Sequence, residues 1–102
     1  MNKITLDNGM TLPYKFTRKA LSDWEEKTKV RLAEFDVKGT INHQMLLCYE
    51  AYKAGMRLEG KQNEVMKYEE FMAIDEAEGF MDQMWSALGE DQKKQPASSE
   101  GS

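Results

Sequence analysis

The stretch from Ile41 to Leu58, INHQMLLCYEAYKAGMRL, constrains the fold more than any other part of the chain. Read at helical period, Ile41, Met45, Cys48, Tyr52 and Met56 form one apolar row, and Leu47, Ala51, Ala54 and Leu58 form a second beside it. His43, Glu50, Lys53 and Arg57 are left on a narrow polar strip. So wide an apolar face belongs to a helix covered from more than one side by other elements. Ala51, Ala54 and Gly55 are small enough to let another backbone approach closely. Gly60 stands just past the end, where a left-handed cap is expected.

The elements around this helix follow from local patterns. Lys3 to Phe16 reads as a β-hairpin closed by Asp7-Asn8-Gly9, a three-residue loop with Gly9 in the left-handed position. That register sets Leu6 opposite Met10 and Ile4 opposite Leu12, all on one face; a two-residue Asn-Gly loop would split them. Tyr14 and Phe16 continue the alternation, and Pro13 belongs on the outer side of an edge strand. Thr17 can cap a first helix, with Phe16 and Leu21 at the spacing of a hydrophobic staple. Ser22-x-x-Glu25 is a rival capping box one turn later. The helix is expected to run to about Thr28, with Ala20, Leu21 and Trp24 facing inward. Val30, Leu32 and Phe35 read as an apolar lead-out, Asp36 to Gly39 as a connection, and Thr40 as the cap of the central helix.

Beyond Gly60, Lys61–Asn63 reads as a loop and Tyr68–Ile74 as a short helix. Asp75-x-x-Glu78 offers a capping box for a last helix from Glu76 to Leu88, ended by Gly89. Its apolar residues are Ala77, Phe80, Met81, Met84, Trp85 and Leu88. Residues 90–102, EDQKKQPASSEGS, hold no large apolar side chain and are expected to form a disordered polar tail. The expected fold class is therefore α+β, mainly α: one domain over residues 1–89, with an N-terminal β-hairpin and about four helices packed around the central helix, 41–58.

Chemistry is sparse. Residues 1–60 carry ten Lys and Arg against eight Asp and Glu, whereas residues 61–102 carry four against ten. The acidic second half argues against nucleic acid as a partner, because phosphate binding rests on clustered Lys and Arg. The longest apolar run, Met45–Tyr49, is far short of the roughly 20 residues that span a bilayer. Cys48 is the only cysteine and His43 the only histidine. Five helical residues turn the chain by about 500°, so the two point away from each other and form no nucleophile–base pair. Cys48 is expected in the core and His43 at the surface or in a cap. No metal set, phosphate loop or working carboxylate pair is visible, so no catalytic residue, cofactor, metal or small-molecule substrate is expected, and the protein is not expected to be an enzyme. The eight methionines leave two readings. They fill a core, or part of the face formed by Phe80, Met81, Met84, Trp85 and Leu88 is exposed to bind a partner chain. The apolar content also permits homo-oligomerisation.

Two stretches, YKFTRKALSDWEEKT (Tyr14–Thr28) and LLCYEAYKAGMRLEGK (Leu46–Lys61), followed by YEEF at Tyr68–Phe71, resemble the tail assembly chaperones of long-tailed, siphovirus-like phages and prophages. The resemblance spans roughly Tyr14 to Leu88 and is a pattern of core and cap residues without a catalytic signature. Where the family pattern has Gly after the first helix, this chain has Lys29. The resemblance implies a non-enzymatic protein that binds the tape measure protein and helps recruit tail tube subunits. It also implies a place in the bacterial host's cytoplasm and absence from the mature virion. A small acidic regulatory or inhibitory protein-binding module is the alternative.

Overall fold

A computed structural model describes residues 2–94, and side chains as far as Gly89. Its elements are β1 (Asn2–Thr5), β2 (Thr11–Tyr14), α1 (Arg18–Thr28), α2 (Phe35–Lys38), α3 (Ile41–Leu58), α4 (Tyr68–Glu78) and α5 (Met81–Lys94). The class is α+β and mainly α, as expected, with a two-stranded hairpin and five helices.

The hairpin has the expected register, with Ile4 opposite Leu12 and Thr5 opposite Thr11. The Leu6 N–H donates to the Met10 carbonyl at 2.8 Å, and Gly9 takes φ +89°, a conformation that carries no Cβ penalty in glycine. Ile4, Leu6, Leu12 and Tyr14 are buried, while Met10 shares their face but lies 47% exposed beside the loop. The outer side of β2 is not open to solvent. The Pro13–Tyr14 peptide lies on Gly55 of α3, where a Cβ would meet the Pro13 carbonyl carbon at 2.5 Å. The Lys15 N–H donates to the Ala51 carbonyl at 3.0 Å in the same seam.

Thr17, not Ser22, starts α1: its hydroxyl accepts from the Ala20 N–H at 3.0 Å. Glu25 instead accepts from the Leu32 N–H at 2.9 Å, across the chain reversal. Lys29 ends the helix at φ 62°, the left-handed conformation for which Gly would be the easier residue. The connection expected at Asp36–Gly39 is largely helical: a 3₁₀ turn over Leu32–Glu34 runs into α2. Thr40 caps α3, accepting from the His43 N–H at 3.2 Å.

Helix α3 carries the core on two sides. Met45, Cys48, Ala51, Tyr52 and Met56 face the hairpin, Phe71 of α4, Phe80 just before α5, and Met84 of α5. Leu47 faces Trp24, Val30 and Leu88 in a second cluster. Two details differ from the expected helix face. Ile41 and Leu58 are 75% and 58% exposed, because neighbouring elements do not cover the helix ends. Glu50, assigned to the polar strip, is 2% exposed.

The second half breaks at a different place from that expected. Tyr68–Glu78 is one helix, and the break falls at Gly79, φ +70°. Asp75 does cap the following helix, but from within α4: its Oδ1 accepts from the Met81 N–H at 2.8 Å across the break. Helix α5 does not stop at Gly89 and continues to Lys94. Residues 90–94 of the expected disordered tail are thus helical, and 95–102 lie outside the described residues.

Candidate protein-binding surfaces

Phe80, just before α5, and Met84 and Leu88 on it recur every fourth residue, and the fold turns that row inward. Phe80 is 3% exposed with its ring 5.1 Å from Phe71, Met84 is fully buried, and Leu88 joins the Trp24 cluster. Phe80 and Met84 are core residues, and Leu88 is buried at the edge of the cleft between α2 and α5. Met81 and Trp85, on the flank of the row, are half-buried. The Trp85 ring lies 4.9 Å from Phe35, whose other neighbour is Trp24 at 6.3 Å. Between α2 and α5 this leaves an open cleft of about 630 Å³, lined by Leu32, Ala33, Phe35, Asp36, Trp85, Leu88 and Gly89. Val37, on the same short helix as Phe35, is 87% exposed.

Two further depressions sit elsewhere on the surface. One, of about 400 Å³, lies where β2, the end of α3 and α4 meet, and Met10, Met56, Met66 and Ile74 line it beside Lys61, Glu64 and Glu70. The other, of about 520 Å³, lies between α3 and α4. It is lined by Met45, Met72 and Ala73, and by the carboxylates of Glu69, Asp75 and Glu76. The expected face omitted Met72, although Met72 with Glu69 and Glu76 has the three- and four-residue spacing of one helix face.

The titratable groups inside the fold serve packing. The Glu50 carboxylate accepts from Lys27 Nζ at 2.5 Å and lies 3.1 Å from Lys53 Nζ, which in turn stands 5.1 Å from the Tyr49 ring centre. The bond to Glu50 raises the Lys27 pKa above its ordinary value. Burial, with Asp75 and Asp82 nearby, pushes the Cys48 thiol up to about 12, so it is a protonated core group at neutral pH. His43 accepts the Trp24 indole N–H at its backbone carbonyl, 2.7 Å, while its own Nδ1 is buried without a partner. Among the described residues, no group of three or more His, Cys, Asp or Glu side chains could hold a metal ion. No helix among them is long and apolar enough to cross a membrane.

Fold and surface together define a small α+β domain with an aromatic cleft and two methionine-lined grooves. No model of a known protein family matches the chain, no curated protein does, and no solved structure does.

Proposed function

We propose that this protein is a non-enzymatic tail assembly chaperone of a long-tailed phage or prophage. In this reading it binds the tape measure protein in the host cytoplasm, helps recruit tail tube subunits, and is left out of the mature virion. The observation that carries the reading is the Phe35–Trp85 cleft. It is open and walled by the aromatic rings of Phe35 and Trp85. A long helical partner presents rows of apolar side chains at three- and four-residue spacing, and such a row suits a shallow apolar cleft. The stretches that carry the family resemblance fall on α1, α3 and the start of α4, the frame against which α2 and α5 are held.

Co-expression with the tape measure protein encoded beside it tests the reading. The two proteins are expected to co-purify, and Ala33→Arg and Asp36→Arg, both in the cleft lining, are expected to abolish this. Both positions are exposed, so the helical circular dichroism is expected to persist. Undiminished co-purification of both variants, or none with the native chain, refutes it. The alternative, an acidic regulatory module, is favoured by the carboxylates of Glu69 and Glu76 in the α3–α4 groove. It predicts a basic target protein and no tape measure gene alongside.

A further inference from the structure

The groove between α3 and α4 combines two properties that a solvated face does not need together. Its floor is apolar: Met45 is 5% exposed, and Met72, which overhangs it, is 39% exposed. Ile41, one turn before Met45 on α3, extends the exposed apolar surface at 75%. Its rim is acidic: Glu69 and Glu76 project from α4, and Asp75 stands between them in the chain. Among the described residues, no Lys or Arg lies within ion-pair distance of Glu69, Asp75 or Glu76. The Tyr68 hydroxyl donates to Asn42 Oδ1 at 3.2 Å and ties the start of α4 to α3, and Asp75 Oδ1 accepts from the Met81 N–H at the start of α5.

We infer that this groove binds a basic amphipathic helix of a partner protein, taking its apolar side chains against Met45 and Met72 and its Lys or Arg against Glu69, Asp75 and Glu76. Methionine suits such an occupant, because its unbranched, polarisable side chain adapts to different apolar shapes. Carboxylates without a Lys or Arg partner on the rim select positive charge and speed encounter with it. The lining comes from two helices and contains no strand edge, so strand addition is not available to the occupant and a helix laid in the groove is. A second copy of this chain fits less well, since a two-fold contact would set the same acidic rim against itself. The inference is independent of the tail assembly reading: it concerns a different surface, and its test needs no tape measure protein.

The probe is a fluorescently labelled synthetic helical peptide with leucines along one face and lysines along both its borders, followed by anisotropy against the full chain. The expected result is saturable one-to-one binding. Glu69→Lys combined with Glu76→Lys is expected to weaken it about tenfold or more, because like charges then face each other. Raising the salt from about 0.01 to 0.15 M shortens the screening length from about 30 to 8 Å and is expected to weaken it as well. The same peptide with glutamates for lysines is expected not to bind. Methyl NMR of the native protein, titrated with the peptide, is expected to shift the Met72 and Met45 signals first, which needs no variant to fold. Unchanged affinity of the charge-reversed protein overturns the inference. Methyl shifts confined to the other methionines also overturn it. So does self-association of the native chain that Met72→Lys abolishes, which would make a second copy the occupant.

Discussion

Glu50 shows how much one residue's partners decide. A carboxylate on a polar strip would contribute little, and its removal would change stability by about 0.5 kcal/mol or less. Here it is buried, and two ammonium groups reach it from α1 and from the next turn of α3. Glu50→Ala removes two charge-assisted contacts and is expected to cost about 1.5–3 kcal/mol, the range for hydrogen bonds to charged groups. The larger penalty of a fully buried ion pair does not apply, because Lys27 is half-exposed and can turn to water. Glu26→Ala, at an exposed position of α1, is the control and is expected to fall within about 0.5 kcal/mol of the native chain. Urea denaturation measures both. The same contact has a pH signature. The Lys27 pKa is raised above 10.5, so its stabilisation is complete below pH 10.5 and is lost as pH rises through the higher folded value. Tyr49 and Tyr68, raised mainly by burial, act in the same direction from their ordinary 10.0. Lys27→Met is therefore expected to lessen the alkaline loss of stability without removing it.

Between elements, two glycines in helices respond to opposite constraints. Gly55 on α3 lies under the β2 backbone at Pro13 and Tyr14, and a Cβ there would approach backbone atoms to 2.5 Å. Backbone cannot swing aside as a side chain can. Gly55→Ala must lift the hairpin off α3, and overpacking of this kind costs about 1–3 kcal/mol. Gly89 on α5 has nothing within 4 Å of where its Cβ would be. Gly89→Ala relieves only glycine's conformational entropy in a helix and is expected to stabilise by about 0.5–1 kcal/mol. Opposite shifts of the thermal midpoint are the expected outcome. Shifts of the same sign would mean that β2 does not rest on Gly55, or that α5 does not pass through Gly89.

At the scale of the whole molecule, a single helix carries both halves of the core. Leu47 faces the Trp24 cluster, and Met45, Cys48 and Tyr52 face the larger one shared by hairpin, α4 and α5. Helix α5 spans both, with Met84 in one cluster and Leu88 in the other. Loss of either cluster therefore strips α3 of cover on one side. Leu47→Ala and Met84→Ala each empty a fully buried site and are each expected to cost about 2–5 kcal/mol. In both variants the near- and far-ultraviolet circular dichroism transitions are expected to coincide, as for one cooperative unit. Separated transitions would show that the clusters melt independently.

What the sequence determined by itself is what depends on a few neighbouring residues. Gly9 and the Ile4–Leu12 alternation specify the hairpin register, and Thr17 and Thr40 specify helix starts through bonds to the third residue on. The span of α3 follows from its own apolar rows, and the small residues Ala51, Ala54 and Gly55 marked where some other backbone could approach, though not that it would be β2. The tertiary structure alone decided which side of an amphipathic helix was covered, and by what. Glu50 lies inside because Lys27, 23 residues away, meets it there. Phe80 and Met84 turn inward because α3 and α4 offer them a core, and Leu88 because Trp24 and Leu47 do, which leaves Met81 and Trp85 on the flank of that row partly open. Exposed apolar surface lies instead at Val37 and Ile41, which no described element covers, and at Met72, which is covered only in part. Periodicity reports that a helix has an apolar side, but burial depends on how much of that side the rest of the chain can cover.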